Sequence, residues 1–441
     1  MVEPNARSIA TEVLYRVAKG AYAAPLLDAA IRRSKLRPEQ SALATEITYG
    51  SLRVLTRLDA LIDRYARRAR AIDEFAQAAL RTAIFQLLYL EHSAAHAVVN
   101  DAVKLVRVKR GPQVAGFANA LLRKILQHES SSCAMPGIEL PQWFHHALLE
   151  SLGERRTRAF IERPLPPPLG LRINPERTDR EVLTRKIAHA RARAEVKFGQ
   201  VSPLGLLVRH SQNPRTLPGY EEGWFCVQEE GAQAMALALD AQPTERIADT
   251  CAGHGNKTTL LAQQVGPRGH VAALDRYASK LERLPPEFQR LGLPLTMLAT
   301  LAVDLTVGCA GLEGTFDRVL IDLPCTGLGT VHRRPELLLR YGQDDPQRLH
   351  DLQSTIATQA LRLARPGGHV ILGVCSLTRE EGATLVNTLE QRHPTLSRAW
   401  TSDALPPGAS IDDDGLVRLG PWLADDGDGP DGYQMMRWQV G

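Results

Sequence analysis

The stretch that decides the fold is Arg246-Ile247-Ala248-Asp249-Thr250-Cys251-Ala252-Gly253-His254-Gly255-Asn256-Lys257-Thr258: a short strand-like run, a turn of small residues, and a helix opening at Thr258. Gly253 and Gly255 let a ligand approach the backbone, and the helix N-terminus offers free N–H groups to an anion such as a carboxylate. The G-x-x-x-x-G-K-[ST] spacing of a phosphate-cradling loop is absent. A second strand-like run ends in Asp275, 20 residues after Gly255. An acid there takes the two ribose hydroxyls of a nucleoside cofactor.

Outward from this stretch, strand, turn and helix alternate from about Gln233. Candidate strands are Arg246 to Thr250, His270 to Leu274, Leu295 to Ala299, Arg318 to Ile321 and His369 to Val374, with a last one from Tyr433 to Trp438. The pattern predicts a doubly wound α/β sheet over 233–441, with ligands at the carboxyl ends of the strands. The tail acids Asp412, Asp413, Asp414, Asp425, Asp426 and Asp428 read as solvated loops. Upstream, apolar residues at helical spacing from Asn5 to about His128 predict an all-helical domain of six or seven helices over 1–130. A linker from Ser130 to Pro136 follows. Over 137–232 a strand at Leu171 to Asn174, a helix from Asp179 to Arg193 and strands at Glu195 to Phe198 and Gly205 to Arg209 predict a small α+β module.

A chain of 441 residues with 44% hydrophobic and 23% charged residues is no disordered, collagen-like or disulfide-knot protein. Without a membrane-spanning run or a secretory signal, it is expected in the cytoplasm. The six cysteines form no C-x-x-C pair, so neither a zinc ribbon nor any other metal site is expected. The formal charge of +4 hides a gradient: through residue 130 there are 20 Lys+Arg against 12 Asp+Glu, a balance of +8. A polyanion is the natural partner of that part. Its candidate phosphate contacts are Lys104, Arg107, Lys109 and Arg110 before Gly111-Pro112, and Arg123 and Lys124 on the last helix.

The sharper chemical signal lies in Asp322-Leu323-Pro324-Cys325-Thr326-Gly327 and Val374-Cys375-Ser376-Leu377-Thr378-Arg379-Glu380-Glu381. Any single cysteine reads first as a small buried hydrophobe. Two at equivalent strand ends, one flanked by Asp-x-Pro, point to chemistry. Carbon 5 of a pyrimidine is a weak nucleophile, and a thiolate adding at carbon 6 turns the ring into an enamine that pushes electrons to carbon 5. A second group must then assist release. Asp322 could pair with the base edge, and Lys257 could stabilise charge or lower a thiol pKa.

At these residues the sequence resembles the bacterial RNA cytosine-5 methyltransferases of the RsmB (Sun) type, which act on 16S ribosomal RNA with S-adenosylmethionine. The resemblance covers essentially the whole chain. The first domain looks like a NusB fold, the middle module like a small RNA-recognition-like insert, Trp224 to Glu229 like the lead-in to a Rossmann-like methyltransferase domain. The most specific matches are Asp322-x-Pro324-Cys325 continuing to Arg333-Arg334-Pro335-Glu336, and Cys375-Ser376 followed by Glu380-Glu381. By resemblance Cys375 is the attacking thiolate, and Cys325 helps eliminate the product. Cys251, Ala252, Gly253, His254, Gly255, Asn256 and Lys257 line the methionine part of the cofactor, Asp275 its ribose and Asp304 its adenine, and Asp322 lies between cofactor and base. Where the family usually reads Ala-Pro-Gly-Gly-Lys, this chain has Gly253-His254-Gly255-Asn256-Lys257; Asn tolerates a positive φ and so can replace the glycine. Leu323, Val374 and Gly382 stand where the family has Ala, Thr and Asn. A monomeric enzyme is expected. The alternatives are a non-catalytic RNA-binding or ribosome-assembly protein, and a cytosine-5 methyltransferase for transfer RNA or another ribosomal site.

Overall fold

The computed structural model describes residues 4–66, 72–91, 94–129, 137–211, 213–309 and 311–441; Cys133 and the linker expected from Ser130 to Pro136 lie outside the described residues. The chain divides into two compact units, Met1–Pro141 with Val331–Tyr341, and Gln142–Thr330 with Gly342–Gly441.

The N-terminal segment of the first unit holds seven helices among its described residues: α1 (Ala6–Val17), α2 (Ala23–Ser34), α3 (Pro38–Arg53), α4 (Leu55–Tyr65), α5 (Glu74–Tyr89), α6 (Ala95–Arg110) and α7 (Pro112–His128). Their ends follow from capping chemistry. Asn5 and Ser8 form a reciprocal capping box on α1, Asp73 accepts the Phe75 and Ala76 N–H groups at the start of α5, and Gly111 at φ +89° with Pro112 turns α6 into α7. α5 is apolar nearly all round and therefore central: Phe75, Leu80, Ile84 and Phe85 are buried, packed among α1, α3, α6 and α7. α3 approaches it at Gly50, where a Cβ would stand 2.0 Å from Phe85 Cζ.

Segment Val331–Tyr341 also packs into this helical unit. Glu336 Oε1 accepts the Ala23 N–H at 3.3 Å, the His332 carbonyl accepts Arg53 Nε at 3.1 Å and the Gly20 carbonyl accepts Arg340 Nη1 at 2.8 Å. Burial pushes Tyr49 up to about 12 and Arg53 down to about 10 there.

The second unit opens with helical segment Gln142–Ile161, bent at Gly153 (φ +72°). A four-stranded antiparallel sheet follows, of β1 (Leu169–Ile173), β2 (Glu195–Phe198), β3 (Gly205–Arg209) and β4 (Phe225–Val227) in the order β2-β3-β1-β4. Helix Arg180–Ala190 covers it with Leu183 and Ile187. The larger sheet contains β5 (Arg246–Thr250), β6 (His270–Asp275), β7 (Leu298–Ala302), β8 (Phe316–Asp322), β9 (Ala364–Val374), β10 (Leu396–Arg398), β11 (Val417–Leu419) and β12 (Tyr433–Val440). Its order is β10-β12-β9-β8-β5-β6-β7, with β11 paired to β12. β5 to β9 run parallel and β12 runs antiparallel to β9. Both faces are buried: Ile247, Leu320 and Ile371 point to one core, Ala248, Val319 and Val370 to the other. The strand order reverses between β5 and β8, the crevice where such sheets bind ligands.

Two expectations are corrected. The third strand is Leu298–Ala302, not Leu295 to Ala299: after Pro294 the run Leu295–Met297 makes a 3₁₀ turn that buries Met297, and pairing begins with Leu298 opposite Val271. The tail acids are not all solvated. Asp412 pairs with Arg156 and Arg418 at 2.7 Å, Asp414 with Arg418 at 2.5 Å and Asp426 with Lys197 at 2.7 Å, while Asp428 is buried against Arg209.

Gly50 and Gly116 give opposite predictions from one substitution. Gly50→Ala drives a methyl into the Phe85 ring and is expected to destabilise by about 1–3 kcal/mol. Gly116 on α7 has nothing within 4 Å of its Cβ position, so Gly116→Ala should stabilise by about 0.5–1 kcal/mol through helix propensity. Urea unfolding of the full chain followed by circular dichroism checks both signs.

Candidate active site

β5 delivers the chain into a turn whose positive φ angles fall on Cys251 (+58°), Gly253 (+58°) and Gly255 (+80°). Asn256 has no positive φ; it is the first residue of helix Asn256–Val265, so the change from glycine to asparagine costs the turn no strain, for a reason other than the expected one. Gly255 cannot carry a side chain, because its Cβ would lie 2.0 Å from Leu284 Cδ2. Over Gly253 the space is open, with only the Cys251 carbonyl 3.9 Å from the Cβ position.

At the end of β6, Asp275 is 5% exposed, and its two oxygens accept the Gly253 and Tyr277 N–H groups at 2.9 Å, with Lys280 Nζ at 3.5 Å. Oδ1, which among the described residues accepts only the Tyr277 N–H as a hydrogen bond, keeps a further lone pair for a ribose hydroxyl, while Oδ2 also takes Lys280 Nζ. Asp304 follows β7 with Oδ1 bound to the Thr306 N–H and hydroxyl, which hold its carboxyl below the usual range, and Oδ2 3.2 Å from Arg276. The open glycine turn, the helix N-terminus and Asp275 fit a nucleoside cofactor. His254 is exposed at the surface of the turn, and partial desolvation of its ring together with the charge of Arg283 lowers its pKa. Burial, then Asp322 and Asp275, push the Cys251 thiol up to about 12, which leaves it unreactive.

Asp249, quoted in the opening stretch but given no role there, is fully buried inside β5. Its Oδ2 accepts the Thr258 hydroxyl at 2.6 Å and its Oδ1 has no partner among the described residues. Burial pushes its pKa up to about 7. Strand periodicity alone hides it, because an acid facing a core is the exception.

Cys325 and Cys375 meet: their Sγ atoms are 3.2 Å apart. The contact with Cys375 and burial push the Cys325 thiol well above its ordinary value. Lys257 Nζ lies 2.6 Å from Asp322 Oδ2. Burial opposes its charge, but Asp322, Asp249 and Cys375 outweigh that and hold the ammonium. Gly382 has a local reason: its Cβ would stand 2.3 Å from Gln434 Oε1, and Gln434 Nε2 donates to the Ser376 and Thr378 carbonyls at 3.1 and 2.9 Å. Cys226 is raised by burial, and Cys309 donates to the Gln359 carbonyl.

In the helical unit Lys104, Arg107, Lys109, Arg110, Arg123 and Lys124 are all exposed. Arg110 is engaged by Asp73 at 2.8 Å over the Phe75 ring, and Lys109 stands 4.0 Å from Glu12. The other four make no ion pair among the described residues. Among the described residues no His/Cys/Asp/Glu group could hold a metal ion, and no helix is long and apolar enough to cross a membrane.

The reversal of strand order at a nucleoside-type turn defines a Rossmann-like domain, and the family matches of this domain and of the helical unit that precedes it in sequence make the chain an S-adenosylmethionine-dependent RNA methyltransferase with a NusB-like domain. Residues 236–427 match the family described as 16S rRNA methyltransferase RsmB/F, and residues 4–127 the NusB family. The probable ribosomal RNA small subunit methyltransferase B of Synechocystis sp. is 30% identical over 88% of this chain and 90% of its own length. The ribosomal RNA small subunit methyltransferase B of Vibrio cholerae is 29% identical over 92% and 94%. The crystal structure of PH0851 shares the fold with a TM-score of 0.80 at 22% identity, covering 99% of both chains. The chain belongs to the 16S rRNA methyltransferase RsmB/F family.

The carboxyl of Asp249 titrates near 7 in the folded chain and at 3.8 ordinarily. Between these values the folded chain keeps a proton that the unfolded chain has lost, so stability falls as pH rises, by up to about 1.4 kcal/mol per pH unit. The difference in urea stability between wild type and Asp249→Asn should therefore decline from about pH 4 to about pH 7 and level off above. A difference constant with pH contradicts a buried, protonated Asp249.

Proposed function

We propose that this protein methylates carbon 5 of a cytosine in 16S ribosomal RNA through a covalent bond between Cys375 Sγ and carbon 6. The observation that carries the reading is the 3.2 Å approach of two thiols from separate strand ends, next to a lysine–aspartate pair. A base inside a folded RNA must leave its stack to reach them. Asp322 accepts from the exocyclic amino group, which cytosine has and uracil lacks. Lys257 stabilises the Cys375 thiolate, which adds to carbon 6 and moves the electron pair of the 5,6 double bond onto carbon 5.

S-adenosylmethionine, held by the Cys251 to Lys257 turn, Asp275 and Asp304, supplies the methyl group when bound. Once Cys375 is bonded to carbon, Cys325 loses both its hydrogen bond to the Cys375 sulfur, the largest influence holding its proton, and the charge beside it. Cys325 then gives its proton to solvent and, as the thiolate, takes the proton from carbon 5. The electron pair of that C–H bond re-forms the double bond, the C–S bond breaks, and Cys375 leaves as thiolate.

The two thiols make different predictions. Cys375→Ala should abolish methyl transfer to ribosomal RNA, while Cys325→Ala should leave a covalent protein–RNA adduct visible as a slow band on a denaturing gel. A methylating Cys375→Ala enzyme ends the assignment. RNA affinity should respond to salt: if Lys104, Arg107, Arg123 and Lys124 each contact a phosphate, binding weakens about 50-fold between roughly 50 and 200 mM salt. Each Gln substitution should flatten the slope by about 0.7 to 1. Filter binding across a salt series reads this, and an unchanged affinity removes these residues from the interface.

A further inference from the structure

Glu381 takes no part in these steps, yet its side chain is fully buried. Its Oε1 accepts the Thr326 N–H and Gln353 Nε2, both at 2.9 Å, and its Oε2 accepts the hydroxyls of Thr326 at 2.6 Å and Thr378 at 3.3 Å. Four donors fill the four acceptor sites of one carboxylate. Gln353 Nε2 also binds the Pro324 carbonyl at 3.0 Å, and the Thr326 and Ser376 hydroxyls are 3.2 Å apart. Both neighbours of Cys325 and the loop that follows Cys375 are thus tied to one acid. Among the described residues no Lys, Arg or His pairs with it, so neutral donors alone hold a buried charge.

We propose that Glu381 is a positioning residue that locks the Cys325 and Cys375 loops together and, as an uncompensated anion beside Cys325, keeps the proton there so that Cys375 is the sulfur that ionises. The inference rests on the two-thiol reading above. Every element packed on the pair contributes with the same sense. Cys375 from β9, Glu381 and Asp322 from the end of β8 all raise Cys325. Lys257 from helix Asn256–Val265 is the cation that interacts with Cys375. Tyr433 on β12 is held as the neutral phenol by burial, Glu229 and Cys375. A like charge disfavours a thiolate and an opposite charge favours it, so Glu381 opposes ionisation of Cys325 and Lys257 favours that of Cys375.

The test reads the thiol itself. In a Cys375→Ser background, without RNA or cofactor, the pH dependence of iodoacetamide alkylation at Cys325 is followed residue by residue by mass spectrometry. Glu381→Gln keeps the shape and removes the charge, and should move the Cys325 midpoint down by about one pH unit; an unmoved midpoint overturns the inference. Glu381→Asp keeps the charge but withdraws it from Thr326. It should leave the midpoint in place, while with Cys375 restored kcat falls by about tenfold to a hundredfold at unchanged KM for RNA. If Glu381→Gln does not fold, Glu381→Asp decides alone: wild-type kcat, or a lowered midpoint, overturns the proposal. Failure of the two-thiol reading is separate, because it shows as methylation by Cys375→Ala whatever Cys325 titrates like.

Discussion

The parallel pairing of β8 with β9 is the constraint on which the site depends. Asp322 stands opposite Gly373, so the two strands release their chains at the same level of the sheet. Pairing continues one step beyond β8, with the Leu323 N–H on the Gly373 carbonyl at 3.2 Å, and is closed by the Gly329 N–H on the Cys375 carbonyl at 3.0 Å. A third chain joins through the Gly432 N–H on the Gly329 carbonyl at 2.9 Å, and a Cβ at Gly329 would lie 2.1 Å from the Gly432 carbonyl oxygen. The approach of the sulfurs therefore follows from backbone hydrogen bonds and one obligatory glycine. A thiol is too weak a donor to draw two loops together.

The same arrangement concentrates acids. Asp249, Asp275, Asp304 and Asp322 stand at or just beyond the ends of four parallel strands, and like charges crowded on one rim disfavour each other. Each is relieved in its own way. Asp249 retreats into the core and holds a proton near neutrality. Asp275 is paired with two backbone N–H groups and Lys280, Asp304 with Thr306 and Arg276, Asp322 with Lys257. With Asp249 protonated and one cation beside each of the other three acids, the charges along this rim balance.

Much of this was legible in the sequence, because parallel strands buried on both faces are written as short apolar runs and their functional residues fall just past each run. Thr250 and Asp275 could be placed that way, and so could the two thiols. The third strand was misread because Leu295-Thr296-Met297 is as apolar as a strand, and only the register of Leu298 on Val271 distinguishes them. Short β4, β10 and β11 carry too few residues for any period to show. The packing of His332 to Glu336 into the helical unit was invisible for another reason: the contacts that decide it, with Ala23 and Arg53, lie hundreds of positions away. The tail acids likewise look solvated until their arginine partners are found in distant elements.

The departures from the family pattern teach the same lesson about where compensation sits. A turn is specified by backbone angles, and with positive φ at Cys251, Gly253 and Gly255 the residue at 256 is free to be any good helix starter. At 382 the loss of a side chain is matched by Gln434 on β12, the antiparallel neighbour of β9, whose amide fills the vacated volume and ties the Ser376 and Thr378 carbonyls. Gln434 also accepts Arg418 Nε at 3.1 Å, so the loop that follows Cys375 is braced by the C-terminal strand pair. A motif scored position by position records Gly382 as a defect. Scored by volume and hydrogen bonds, the site is complete, because buried donors and carbonyls demand a partner but do not specify which part of the chain supplies it.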